Sequence, residues 1–164
     1  MTKTVDRHER LEKLFLQYSD LLYRIALVKL YNKEDAEDAV QETFIKYLSK
    51  PFEYSSDKEE KAWLVRVLEN VSLDILRRRS KRESLPLDEA LDIGVEDEVS
   101  QGVFESLSKL SEKYRTVILL HYLEGFSVEE ISKSLSLSKS AVKMRLSRGR
   151  EELSLILGKE NFSV

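Results

Sequence analysis

An all-α protein made of two small helical domains joined by an acidic linker, the second carrying a helix-turn-helix, is what this sequence predicts. Three observations lead there. Five glycines and two prolines in 164 residues leave few helix breakers. Apolar residues recur at spacings of three and four along most of the chain. The net charge of −3 is the sum of strongly segregated blocks. Residues 33–44 carry five acids and one base, and residues 77–82 carry five bases and no acid. Residues 83–105 carry eight acids and no base, and residues 133–150 carry six bases and no acid. Domains over 1–82 and 106–164 with a linker over 83–105 follow from that division, and the length accommodates two units of about 70 residues.

Composition excludes several function classes. At 41% hydrophobic and 35% charged residues the chain is neither disordered nor membrane-embedded. No apolar run approaches the ~20 residues of a membrane span, and "MTKTVDRHERLEKLF" lacks a signal peptide's apolar segment. The expectation is a cytoplasmic protein without membrane contact of its own. Zero cysteines rule out a disulfide framework, a thiolate nucleophile and zinc-finger spacing. His8 and His121 stand far apart with no cluster of ligand partners, so they read as structural, and no metal or cofactor is expected.

Leu11, Leu14, Phe15, Tyr18, Leu21, Leu22 and Ile25 predict an amphipathic helix running on towards Leu30, either continuous or jointed near Ser19. Asn32 can cap a second helix with an apolar stripe of Ala36, Val40, Phe44 (or Thr43) and Tyr47. Asp35, Asp38, Gln41 and Glu42 fall largely off that stripe and are expected to face outward together. Glu34 and Glu37 suit helix-start electrostatics and solvation. Pro51 ends the helix, and "FEYSSDKEE" reads as a loop. From about Lys58 to Arg79 a long helix is expected, with Trp63, Leu64, Val67, Leu68, Val71, Ile75 and Leu76 inward. Its last turn and exit carry "RRRSKR", more cations than dipole capping requires.

Within 83–105, Pro86 and Gly94 interrupt any period, with room for a short helix near the end. Leu107, Leu110, Tyr114, Val117, Ile118 and Leu120 to Leu123 then predict one helix stopped at Gly125. Ser127 with Glu130 forms a capping-box pattern opening the helix "SVEEISKSL". Ser136 to Ser138 make a tight connection, and Ser138 can cap a final helix through Val142, Leu146, Leu153 and Leu157. Two short helices so joined, with Ile131, Leu135, Leu137, Val142 and Leu146 between them, form a helix-turn-helix. Such a unit lays its second helix in the DNA major groove, here presenting Lys139, Lys143, Met144, Arg145, Ser147, Arg148 and Arg150. If about five of the bases meet phosphates, the log-log salt slope of binding is about −4 to −5.

The stretches "DAEDAVQETF", "AWLVRVLENVSLDILRRRSKR" and "LSEKYRTVILLHYLEGFSVEEISKSLSLSKSAVKMRLSRGREEL", in this order, resemble the bacterial RNA polymerase sigma factors of the extracytoplasmic-function (ECF) group. That resemblance implies a non-catalytic specificity subunit that binds core polymerase, recognises two promoter elements and helps open the duplex. Asp38, Gln41 and Glu42, with Asp35 beside them, would dock on the clamp of the largest subunit. The loop from Phe52 to Lys61, including Tyr54, would capture a base flipped from the non-template strand at the minus-ten element. Trp63, Arg66 and Asn70 would lie along the helix facing that element, and Arg77, Arg78, Arg79, Lys81 and Arg82 would hold phosphates. Trp63 also fits the core and Asn70 also fits a buried backbone group. Lys139, Lys143, Met144, Ser147 and Arg148 would read the minus-thirty-five element, with Ser138 and Ser140 on the same surface. Arg145 and Arg150 would be phosphate or packing contacts.

The resemblance further implies an anti-sigma factor as a partner. Departures from the family's pattern are Glu69 before Asn70, Ser136 where the turn often has Gly, and "SAVKMR" where "GTVKSR" is common. Two rival readings compete with this one. An autonomous helix-turn-helix regulator leaves the acidic helix unexplained. An enzyme acting on nucleic acid needs a pocket constellation or Gly-rich phosphate loop that the sequence does not present.

Overall fold

The computed structural model describes residues 2–49, 56–82 and 98–162, with side chains placed within 6–49, 56–81 and 102–158. Pro51 and Tyr54 lie outside the described residues, as does most of the expected base-capturing loop. Helix α1 runs unbroken over Thr2–Leu30, so no joint is needed near Ser19. Its C-terminal half buries Leu21, Leu22, Ile25, Ala26, Leu27, Val28 and Leu30, whereas Phe15 and Leu16 stay exposed. Tyr31 then takes a left-handed conformation, φ 51°. This is costly for a side chain with a Cβ, and the burial of its ring offsets the strain.

Helix α2, Lys33–Ser49, starts where the Asn32 side chain accepts the Asp35 backbone N–H at 2.9 Å. Ala36, Ala39, Val40, Thr43, Phe44 and Tyr47 are all buried, so Thr43 and Phe44 both belong to the inner stripe. Helix α3 spans Asp57–Arg82, longer at both ends than expected. The last four residues of "FEYSSDKEE" are helical because Ser56 caps them, accepting from the Glu59 N–H at 3.2 Å. Asp57, Glu59 and Glu60 also match the positive end of the helix dipole. At the other end the helix continues through the whole basic run. Helices α1, α2 and α3 pack on one another around Leu22, Leu30, Phe44, Leu64 and Leu68.

Within that core Glu60 is only 5% exposed. It accepts from the Tyr47 hydroxyl at 2.8 Å and pairs with Arg10, whose guanidinium also reaches Asp57. A buried carboxylate is tolerable when each oxygen has a donor.

The short helix for which the end of the linker has room is present and runs past Leu107, so the helix expected from Leu107 to Leu123 starts later. Helix α4 is Glu98–Ser108, beginning inside the stretch assigned to the linker, and α5 is Glu112–Ile118. Ser111 divides them, its N–H and hydroxyl both donating to Glu152 at 2.7 and 2.9 Å. Helix α5 widens into one π turn over Leu119–Leu123, and Gly125 ends it at φ 74°. His121 Nδ1 lies 2.8 Å from the Phe126 carbonyl oxygen, a structural role.

Helix α6, Val128–Leu135, opens with a complete Ser127–Glu130 capping box. Ser136 closes it in the left-handed region, φ 56° and ψ 44°. Helix α7 is Lys139–Phe162, where Ser138 caps by accepting the Ala141 N–H at 3.1 Å. Leu157, expected on the inner stripe of α7, is exposed. Helix α3 packs against α6, and α1 against α4 and α5, so the two halves of the chain form one continuous core. Among the described residues no helix is long and apolar enough to cross a membrane.

Candidate nucleic-acid and polymerase interface

The outward face of α2 is built by exclusion. With the small and aromatic residues turned into the core, Asp38 and Gln41 are exposed and Glu42 is half-exposed, with Lys46 one turn on at 4.0 Å. Ile45 is 62% exposed on the same side, an apolar residue that a solvated charge face does not need. Asp35 does not join this set. The Arg79 guanidinium binds its carboxylate and also donates to the Leu30 carbonyl at 2.8 Å. Both side chains are about two-thirds buried, so Asp35 and Arg79 fasten α2 to the end of α3. Arg79 is thereby removed from the expected phosphate-binding run.

The rest of that run is open. Arg77 pairs with Asp74 at 3.5 Å while remaining 74% exposed. Arg78 and Lys81 are exposed, and the Arg82 side chain lies outside the described ones. Farther up α3, Trp63 is half-buried, its ring edge-on to Tyr47 at 5.9 Å, which favours packing over an open stacking platform. Asn70 is exposed and therefore not spent on a buried backbone group. Lys61 and Arg66 are engaged by the second half of the chain. Lys61 Nζ lies 3.3 Å from Glu130 and 3.9 Å from the centre of the Phe126 ring, and Arg66 donates to the Lys133 carbonyl. Glu69 bonds to Lys29, which offsets its negative charge beside the expected DNA face.

On α7 the capped start presents Ser138, Lys139, Ser140, Lys143, Met144 and Arg148 to solvent, with Ser147 half-buried. Val142 and Leu146 hold the opposite face against α5 and α6. Arg145 instead lines a cleft between the halves, with Lys29, Glu69 and Thr116. Arg150 donates to the Tyr122 hydroxyl at 2.8 Å. Four cations, Lys139, Lys143, Arg148 and Arg150, remain on the solvent side of the helix. The alternation of short hydroxyl residues with long cations lets the backbone approach a groove while the charges reach phosphates.

Residues 14–82 match the family model of sigma-70 region 2, and residues 101–153 match that of sigma-70 region 4. The ECF RNA polymerase sigma factor SigW of Bacillus subtilis (strain 168) is 30% identical, over 83% of this chain and 82% of the relative. The RNA polymerase sigma factor SigV of the same organism is 31% identical, over 86% of this chain and 87% of the relative. The chain belongs to the ECF sigma factors. The ECF sigma factor SigE of Mycolicibacterium smegmatis is 32% identical over 92% of this chain, which spans 62% of that longer relative. Among solved structures, the sigma factor RpoE in complex with the anti-sigma factor NepR from Bartonella quintana matches 92% of this chain and 98% of that one. Its TM-score is 0.72 at 26% identity. CnrH, solved in complex with the cytosolic domain of CnrY, shares the fold at a TM-score of 0.66 and 24% identity, covering 93% of this chain and 90% of that one.

In this ECF sigma factor, region 2 comprises most of α1 with α2 and α3, and region 4 runs from within α4 through α5 and α6 into α7. What sequence reading missed is their mutual contact. Arg24 of α1 grips Glu124 with two bonds of 2.5 and 2.9 Å. Tyr31 meets the Phe104 ring edge-on at 5.5 Å, and the Arg115 guanidinium covers Tyr31 at 4.8 Å. Burial pushes the Glu130 carboxyl up, but its bonds with Ser127 and Lys61 outweigh this and hold it below the ordinary 4.5. No local pattern announces a pair such as Arg24 and Glu124, separated by 100 residues.

Proposed function

We propose that this sigma factor docks on core RNA polymerase through Asp38, Gln41 and Glu42 of α2, with Ile45 adding apolar contact. It directs the enzyme to promoters through α3 and α7. The single observation that carries this reading is the segregation of surfaces. The exposed positions of α2 are acidic with one apolar residue, Ile45, whereas the exposed cations gather at the end of α3 and on α7. Acids cannot add DNA affinity, so the α2 face needs a protein partner, whereas the cations need a polyanion.

At the minus-ten element a base must leave its stack at a cost of a few kcal/mol. Asn70, exposed on α3, reads the displaced strand in this proposal, and the exposed Arg77, Arg78 and Lys81 hold its phosphates. At the minus-thirty-five element Lys139, Lys143, Met144 and Arg148 meet base edges and backbone in duplex DNA. An anti-sigma factor is a further partner, a reading supported by the similar sigma factor solved with one. The chain acts as a specificity subunit and leaves phosphodiester chemistry to the polymerase.

The test is to mix the purified chain with core polymerase and supercoiled genomic DNA and to map transcript starts. Discrete starts sharing upstream elements are expected. Absence of such starts, together with a tight duplex footprint by the chain alone, sinks the reading.

A further inference from the structure

We infer that Met144 selects a thymine in the minus-thirty-five element, its thioether packing on the C5-methyl group of that base. The inference rests on the proposed placement of α7 against duplex DNA and names the base that this face prefers.

Capping and burial fix how α7 is turned. Ser138 holds the first turn by accepting the Ala141 N–H at 3.1 Å, and Val142 and Leu146 are 0% and 3% exposed on the inner face. At about 100° per residue Met144, midway between them in sequence, stands about 180° around the helix from their mean direction. It is 49% exposed there, so the core does not require a long apolar side chain at this position. Ser140 and Ser147, one turn before and one turn after it, are short, and Lys143 and Arg148 stand to either side. Glu151, exposed a turn further on, repels phosphate and marks where the groove-facing surface ends. Along the centre of this surface Met144 therefore extends farther than the serines, between two cations.

In the major groove every base pair presents hydrogen-bonding groups, and thymine adds an apolar one, its C5-methyl. A methionine side chain has no donor and only a weakly accepting sulfur. Against the cytosine or adenine amino group, or guanine O6, it displaces water without replacing its hydrogen bonds, which weakens binding. Against thymine it buries a methyl group, a gain of about fourfold in affinity. The unbranched chain and polarisable sulfur let that contact form without a shift of the backbone. The sequence "SAVKMR" in place of "GTVKSR" thus exchanges a hydroxyl, which donates or accepts, for a group that prefers one base.

The experiment uses the full chain bound to core polymerase. Promoter fragments with a randomised minus-thirty-five element, upstream of a fixed minus-ten element from a mapped start, are selected for stable complexes and sequenced. A thymine is expected at one position for the unmodified chain and for Met144→Leu. Met144→Ser should lose that preference and keep the others, which also shows that the variant is folded. The selected thymine is then replaced by deoxyuridine, which removes the methyl group and keeps every hydrogen-bonding group. Affinity of the unmodified complex falls about fourfold, at low and high salt alike because no phosphate contact changes. The Met144→Ser complex does not respond.

An enriched element in which no thymine depends on Met144 overturns the inference, as does an equal deoxyuridine effect in both proteins. Failure of the unmodified chain to enrich any sequence would instead overturn the proposed function, an outcome distinct from a preference that ignores position 144.

Discussion

The carboxylate of Asp35 and the guanidinium of Arg79 are bound to each other, and Arg79 simultaneously caps the Leu30 carbonyl at the end of α1. One side chain thus joins all three helices of region 2. Arg79→Ala leaves a part-buried carboxylate and a carbonyl without their donor and is expected to destabilise region 2 by about 1–3 kcal/mol. Arg78→Ala, one position away and exposed, should leave the melting temperature within error while weakening DNA binding. Thermal melts of the two variants decide the matter, and equal melting temperatures would contradict the structural role.

Removal of Asp35 from the docking face narrows that face to Asp38, Gln41 and Glu42. Asp38→Lys with Glu42→Lys is expected to lower affinity for core polymerase at least tenfold, because surface charge complementarity becomes repulsion. Circular dichroism should be unchanged, since these side chains lie on the solvent side of α2. Retained binding in a polymerase pull-down would refute the docking face.

Tyrosine titration probes the core. Burial pushes Tyr31 up to about 12, and burial together with the bond to Glu60 does the same for Tyr47. The folded state thus favours the neutral phenols. Their contribution to stability is complete below the ordinary value of 10.0 and is lost as pH rises from there through about 12. Of the seven tyrosines, these two should ionise last in an absorbance titration. Ionisation of all seven near 10 in the still-folded protein would contradict the burial.

Much of this architecture is legible locally. The Asn32 cap, the Ser127–Glu130 capping box and the Ala36–Val40–Phe44–Tyr47 stripe are each encoded within a few residues, and each is in place. The break at Ser111 was hidden because its cause, Glu152, lies 41 residues away. Likewise nothing near Arg79 or Lys61 signals that Asp35 and Glu130 will neutralise them. Charge blocks identify which polymer a surface suits. Only packing decides which members of a block are spent inside the protein.

Ser136 records a tension between local preference and family pattern. A residue with a Cβ in the left-handed region is strained by about 1 kcal/mol relative to glycine, and the Ser136 conformation demands that region. Ser136→Gly is therefore expected to stabilise region 4 by about 0.5–1 kcal/mol, raising its melting temperature by a few degrees. The Ser132 hydroxyl bond to the Leu137 carbonyl at 2.5 Å holds the turn in either variant. A lower melting temperature would mean that the Ser136 side chain contributes more than its strain costs.

The same division between spent and available cations can be read from salt dependence. Four cations stand on the solvent side of α7, while Arg145 faces the cleft with Lys29 and Glu69. Each phosphate contact contributes about −0.9 to the log-log slope of duplex binding, so the four give about −3.6, shallower than the five-contact reading of the sequence. Lys143→Ala and Arg148→Ala should each make the slope shallower by about 1 in promoter complexes assembled with core polymerase. Arg145→Ala should leave the slope unchanged, because its charge lies away from the groove-facing surface. A slope change for Arg145→Ala equal to that for Lys143→Ala would show that the cleft opens and delivers Arg145 to the phosphates when the promoter is bound.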